Sequence, residues 1–351
     1  FHSDWCSMMY PRMLLARDLL ASDGAIFISI DDNESSNLRK ICDEVFGVAC
    51  FVGDIAWQKT YSPRNDSKGI PAEVEHILVY SKIPSWAPKR LERTAEMDER
   101  YASPDNDPRP WKAGDASAPG AATHQGMVYA IQHPLTGGYS MLNLMSEWAE
   151  YEWRDIHDEE KRAEICGIQP GEVRQSVQAL MLRYPGEETY QKAQQRYEQG
   201  CWPQLYFTSG GKGGMAVKRY LDEMEGKMPT NLWPYEEVGH TDEAKKQLKT
   251  LFDGSAPFDT PKPVRLMRRI LDIASSDTCA VLDFFSGSAS MAQAVMEKNA
   301  EDGGSRRFLL VQIPEETSGQ FSTLTEIGEE RIRRAGAKIA ADIDKENEQL
   351  E

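Results

Sequence analysis

Apolar residues recur at helical spacing across residues 9–20, where Met9, Met13, Ala16 and Leu20 form a stripe that Leu15 and Leu19 widen toward a sheet. Asp23-Gly24 closes that helix, and Ala25–Ile30 is an unbroken apolar run of the length expected for a central parallel strand. Its end delivers Asp31, Asp32 and Asn33 to the edge where open α/β sheets bind ligands. Asn33 is placed to cap a helix over Glu34–Phe46, with Gly47 just past its end. Phe51–Trp57 and Val74–Tyr80 read as two more strands around a polar loop, Ser62–Gly69.

From about residue 85 the pattern changes. Pro84, Pro88, Pro104, Pro108, Pro110 and Pro119 punctuate a stretch that becomes small and flexible at Ala113–Gly126. Helices are then expected at Asn143–Ile165, Glu172–Tyr184 and Glu187–Gln199. A strand follows at Cys201–Thr208, a turn at Gly210–Gly214 and a short helix at Ala216–Glu225. The division is therefore residues 1–88, an inserted mixed domain at 89–235, and residues 236–351, without internal repeats. In the last part Thr241 can cap Asp242–Phe252, whose acids lie first and whose Lys245, Lys246 and Lys249 lie later, matching the helix dipole. An amphipathic helix at Val264–Ala274 and a long charged one at Leu324–Glu348 flank the stretch of greatest chemical interest.

That stretch is Val281-Leu282-Asp283-Phe284-Phe285-Ser286-Gly287-Ser288-Ala289-Ser290, an apolar strand that breaks into small residues and opens a helix at Met291–Asn299, followed by a strand at Phe308–Ile313. Such a bend brings backbone N–H groups against an anionic or carboxylate-bearing cofactor. Neither Gly-x-x-x-x-Gly-Lys-Ser/Thr nor Gly-x-Gly-x-x-Gly occurs, which argues against kinases, ATPases and ordinary dehydrogenases. Ordinary nucleotide-binding folds place the equivalent turn first, so its position near the end of the chain indicates a circular permutation.

The length, 351 residues, suits about two packed units. A formal net charge of -16 opposes general attraction to nucleic acid, which is held mainly by Lys and Arg, so such binding would rest on local basic loops. The six cysteines form no Cys-x-x-Cys pair and lie mostly beside apolar residues, as buried reduced thiols of a cytoplasmic protein do. No His or Cys set has metal-ligand spacing. No apolar run approaches the roughly 20 residues that span a bilayer, and no leader pattern opens the chain. Phe1 is not an initiator, and the sequence is expected to start inside a longer protein.

Read in order, the motifs resemble the β class of DNA amino-methyltransferases, closest to the modification subunits of type III restriction systems and related adenine-specific enzymes. Trp5-Cys6-Ser7-Met8-Met9-Tyr10-Pro11-Arg12 and Asp23–Glu34 look like that family's middle catalytic segment. Trp233-Pro234-Tyr235-Glu236-Glu237-Val238-Gly239-His240-Thr241 and Phe258-Asp259-Thr260-Pro261-Lys262-Pro263 look like its approach to the cofactor. The 281–290 bend, Asn299–Gly304 and Val311-Gln312-Ile313-Pro314-Glu315 complete the likeness. The resemblance implies a Rossmann-like (class I) α/β fold with permuted motif order and target recognition in the insertion. It implies methyl transfer from S-adenosyl-L-methionine to the N6 of an adenine flipped from duplex DNA, with a restriction subunit and a second copy of the chain as partners.

The same resemblance places the cofactor against Asp283, Phe284, Phe285, Ser286, Gly287, Ser288, Lys262, Pro263, Gln312 and Asp31. Gln312 stands where many methyltransferases put an acid on the ribose hydroxyls. Lys262-Pro263 is favoured as a cofactor contact over a loop that starts a helix, whereas Asp31 and Asp32 read equally as cap and sheet-edge residues. DNA contacts are expected from Lys59, Arg64 and Lys68, from Arg109 and Lys112 beside Trp111, and from Lys212, Lys218 and Arg219 around a glycine turn. The family's Asp/Asn-Pro-Pro-Tyr/Phe motif does not occur in these residues. The chain is therefore expected to shape a cofactor pocket without catalysing transfer alone, and a non-catalytic recognition or assembly module is the competing reading. Action on RNA is a third.

Overall fold

The computed structural model describes residues 2–62, 69–103, 107–115, 128–132, 139–143, 151–156, 158–160, 177–182, 205–207 and 215–350. The chain forms two compact units, Phe1–Glu92 with Lys227–Glu351, and Arg93–Gly226. The first opens with α1 (His2–Leu19), β1 (Ala25–Ile30), α2 (Ser35–Phe46), β2 (Phe51–Gln58) and β3 (Val74–Ser81). Met9, Met13 and Ala16 are buried on α1 as the stripe predicts. Leu15 and Leu19 are not: at about 100° per residue they fall roughly 90–130° from the centre of the stripe, and they stay 63% and 71% exposed.

β1 differs from expectation in direction. It runs antiparallel to β3, which runs antiparallel to β2. An apolar run signals burial on two faces, which either pairing satisfies. Here one face carries Ile26, Ile28, Ile30, Leu78 and Tyr80 against Met13, Leu38, Ile41 and Val45 of α1 and α2. The other carries Phe27, Ile55, Trp57, Ile77 and Val79. The cap of α2 also differs, because Asn33 turns back to Asp31 and the capping position falls to Glu34, which makes no side-chain cap bond.

The second unit contains α3 (Ala95–Asp98), β4 (Trp111–Asp115), β5 (Val128–Gln132), β6 (Tyr139–Asn143), β7 (Tyr151–Ile156), β8 (Val177–Leu182), β9 (Leu205–Phe207) and β10 (Met215–Tyr220). Its sheets run β4-β10-β9 and β6-β5-β8-β7. The helices expected over 143–165 and 172–184 are thus corrected to strands at β7 and β8, and the helix expected over 216–225 to β10 followed by a 3-10 turn, Leu221–Glu223. In β10 the period is two, with Ala216, Lys218 and Tyr220 buried and Arg219 exposed. A lysine on the buried face hid that alternation. The helix expected over 187–199 and the turn at 210–214 lie outside the described residues.

The first unit resumes with β11 (Leu232–Trp233), parallel to β2 and completing the order β1-β3-β2-β11. Then come α4 (Tyr235–Val238), α5 (Thr241–Leu251), α6 (Val264–Ala274), β12 (Ala280–Asp283), α7 (Ser290–Asp302), β13 (Arg307–Leu310) and α8 (Leu324–Leu350). β12 and β13 pair in parallel. Their inward residues Val281 and Phe308 join the core that α6 and α7 share with β2 and β3, through Leu266, Ile270, Ala294 and Val295. α5 is capped by His240, whose ring nitrogen accepts the Glu243 N–H, and not by Thr241. Cys6, Cys42, Cys50 and Cys279 are free, and burial pushes the Cys42 thiol up to about 12. No described helix is long and apolar enough to cross a membrane.

Candidate cofactor site

β12 ends at Asp283, and the chain must turn sharply to start α7 at Ser290. Gly287 (φ 49°) and Ala289 (φ 61°) both take left-handed backbone. For Ala289 this costs about 1–2 kcal/mol, so packing must hold it, and its side chain is 1% exposed. Hydrogen bonds fix the rest. The Ser286 N–H donates to Val311 O at 3.3 Å and the Ala289 N–H to Ser286 O at 2.8 Å.

Gln312 belongs to this framework. Its side-chain oxygen accepts the Gly287 N–H at 2.8 Å and its amide nitrogen donates to Ile313 O at 3.1 Å. It ties the bend to the residues after β13, a use that the expected ribose contact did not include. Asp283 is half-buried and accepts the Phe285 N–H at 3.3 Å. Burial raises its carboxyl above the ordinary value, against the smaller opposing effect of that bond. Phe284 packs against the core shared by α1, α2 and β3, whereas Phe285 is exposed.

Lys262 and Pro263 reach the bend by a separate route. The Ser290 hydroxyl donates to Lys262 O at 2.9 Å, and Pro263 caps α6. The Lys262 ammonium lies over the Trp57 ring and pairs with Glu75, whose second partner is Lys59 at 3.1 Å. Burial opposes ionisation of Glu75, but the two ammonium groups outweigh it and hold its carboxyl below the usual range. The Trp57 indole donates to Gly239 O at 2.9 Å. Gly239 has φ 81°, and a Cβ there would stand 2.9 Å from Pro263 Cβ, so only glycine lets this segment close on Lys262-Pro263.

At the end of β1, a cavity of about 800 Å³ is lined by Trp5, Ser29, Ile30, Asp31, Asn33 and Glu75, among others. Glu75 in its lining pairs with Lys262, whose carbonyl is held by Ser290 of the bend, so the cavity and the bend adjoin. Asp31 accepts from the backbone and the side chain of Asn33. Asp32 and Asp54 flank His76 at 3.2 and 3.0 Å. Burial lowers the His76 pKa, and the two carboxylates together overcome it, leaving the ring more basic than usual. Sequence reading missed Glu75 and Trp57, because each acts through a partner far away in the chain.

The expected DNA contacts separate. Lys218 is sealed from solvent in an ion pair with Asp107 at 2.8 Å, and the Tyr220 hydroxyl donates to the same carboxylate at 3.0 Å. That placement withdraws Lys218 from any DNA surface. Arg109 forks to Asp222 and Glu223 over the Tyr220 ring, and Lys59 is paired as above. Lys112 and Arg219 are exposed and lie directly opposite each other on β4 and β10. Arg64, Lys68 and Lys212 lie outside the described residues.

A strand-to-helix bend beside a nucleoside-sized cavity is the arrangement at which α/β folds bind cofactors. The chain belongs to the N6/N4 DNA methylase family, whose model, described as DNA methylase, matches residues 1–337. Its α/β layers are those of a Rossmann-like methyltransferase. It is 33% identical over 361 residues to the type III restriction-modification enzyme StyLTI Mod subunit of Salmonella typhimurium, covering 99% of this chain and 48% of that protein. It is 27% identical over 370 residues to the EcoP15I Mod subunit of Escherichia coli, covering 96% and 51%. Among solved structures, the PvuII DNA methyltransferase (cytosine-N4-specific) aligns over 95% of this chain and 78% of its own at 10% identity, with a TM-score of 0.39. The chain thus spans about half the length of the curated relatives it matches.

Proposed function

We propose that this chain is the cofactor-binding and target-recognising part of a site-specific adenine-N6 DNA methyltransferase of a type III restriction-modification system. Its methyl donor is S-adenosyl-L-methionine. The observation that carries this reading is the union of two separate motifs at one place, where Ser290 of the bend holds the Lys262 carbonyl, in a chain alike over nearly its whole length to Mod subunits.

The residues suit that donor. The start of α7 offers the positive end of a helix dipole to a carboxylate, and Asp283 offers a carboxylate to the ligand's cationic end. The adjoining cavity has room for a nucleoside. When bound, the cofactor supplies the electrophilic methyl group, while this chain binds and orients it.

In the second unit, Lys112 and Arg219 set two like charges side by side, an arrangement that is unfavourable until an anion such as a DNA backbone joins them. The target adenine must leave the duplex to be methylated. The family's Pro-Pro motif for binding its amino hydrogens does not occur in these 351 residues, and on this reading the chain depends on other groups for that step. The partners are duplex DNA, a restriction subunit and a second copy of the chain, in the cytoplasm. Isothermal titration with S-adenosylmethionine tests the cofactor reading: binding is expected, and absence of heat over a range of temperatures overturns it. Methyl incorporation into duplex DNA by this chain alone would overturn the dependence on outside groups.

A further inference from the structure

Behind the bend, α8 approaches through Gly328. A Cβ on Gly328 would lie 3.5 Å from Ala289 Cβ and 3.6 Å from Gly287 O. One turn later α8 presents Arg331, which is 1% exposed. Its Nη1 donates to Ser288 O at 3.2 Å, Ser288 Oγ at 3.1 Å and Ser290 Oγ at 2.7 Å, and its Nε donates to Gln293 Oε1 at 2.8 Å. These acceptors are neutral. Among the described residues no carboxylate lies within ion-pair distance of it. Glu297, the acid whose charge acts on it, is paired with Arg268 at 3.8 Å. Burial lowers the Arg331 pKa to about 10, so it remains a cation at neutral pH.

A buried charge without a counter-charge is unfavourable, and proteins normally pair it. Here the cation sits directly behind the N-terminus of α7, where the helix dipole has the same sign. The arrangement is stabilised when an anion arrives on the other side of the bend. Arg331 also governs geometry. Ser290 Oγ accepts from Arg331 while donating to Lys262 O, so one guanidinium fixes the bend and, through one hydroxyl, the Lys262-Pro263 segment.

We propose that Arg331 is a positioning residue that holds Ser288 and Ser290 in place and, through its uncompensated charge, makes the bend select a ligand bearing a carboxylate. The inference rests on the cofactor reading above and adds the group that decides which end of the cofactor meets the bend.

The test compares S-adenosylmethionine with decarboxylated S-adenosylmethionine, by isothermal titration at fixed ionic strength, on the wild-type chain, Arg331→Gln and Arg331→Lys. The wild type is expected to prefer the carboxylate-bearing ligand by about tenfold or more, as for loss of one charge-assisted interaction. R331Q should cut that preference to about threefold or less. R331K, which keeps the charge but not the fork, should weaken both ligands while retaining most of the preference. Equal weakening of both ligands by R331Q, or equal binding of both by the wild type, overturns the inference and leaves the cofactor reading standing. Binding of neither by the wild type overturns both. Thermal unfolding monitors folding of each variant, and if R331Q does not fold, loss of the preference in R331K overturns the inference.

Discussion

Lys218 in the second unit and Arg331 in the first are both cations sealed from solvent, and their surroundings treat them in opposite ways. Lys218 meets Asp107 with both side chains at 0% exposure, so the site is neutral as a whole and closed to further ligands. Arg331 is surrounded by serine and glutamine oxygens and keeps its charge. A buried cation matched to an acid fastens a fold, whereas one matched only to dipoles leaves a field that a ligand can complete.

The largest expected effect comes from breaking the matched site. Lys218→Met leaves Asp107 charged and buried, and should cost about 3–5 kcal/mol of stability, read as a fall in the unfolding transition of the second unit. The double variant K218M/D107N, whose asparagine can keep its carbonyl oxygen on the Arg109 N–H while its amide nitrogen donates to the Tyr220 hydroxyl oxygen, should recover at least half of that loss. If the single and double variants unfold alike, pairing is not what holds the site.

A smaller effect is expected at Asp283, the negative counterpart of Arg331. Because burial raises its folded pKa above the unfolded value, its ionised form costs stability, and the penalty disappears as pH falls through the raised value. Asp283→Asn should therefore raise the melting temperature of the free protein at neutral pH, a gain that shrinks on acidification. It should also weaken S-adenosylmethionine. In the wild type, affinity should decline as the medium is acidified, beginning above the normal carboxyl range, and the decline should vanish in D283N. A flat wild-type profile would remove Asp283 from the site.

The smallest effect tests how closely α8 approaches the bend. Alanine at Gly328 would make only ordinary contact with Ala289, so Gly328→Ala should stabilise by about 0.5–1 kcal/mol through helix propensity without altering cofactor affinity. A tenfold loss of affinity in G328A would mean the approach is tighter than these distances.

The bend, the strands β2 and β3 and the long helix α8 were legible because each is encoded by neighbours: small residues after an apolar run, apolar runs between polar loops, and charge at helical spacing. Lys218 was misread because a lysine in a basic cluster is exposed by default. Only Asp107, 111 positions away, reverses that expectation. Nothing local marks Arg331 either, since its partners Ser288, Ser290 and Gln293 lie 38 to 43 positions earlier. The helices expected at β7 and β8 show the complementary failure. Short segments that tolerate both periods are decided by the strands beside them, which the sequence does not display.

The sequence by itself determined where a strand-to-helix bend stands, which motifs accompany it and that the charge balance is acidic, because these depend on residue identity and short spacing. The tertiary structure alone decided the antiparallel direction of β1, the enclosure of Lys218, the role of Gln312 as a tie and the isolation of the Arg331 charge. Those outcomes depend on which distant groups share a dry interior, where the presence or absence of one opposite charge outweighs any local preference.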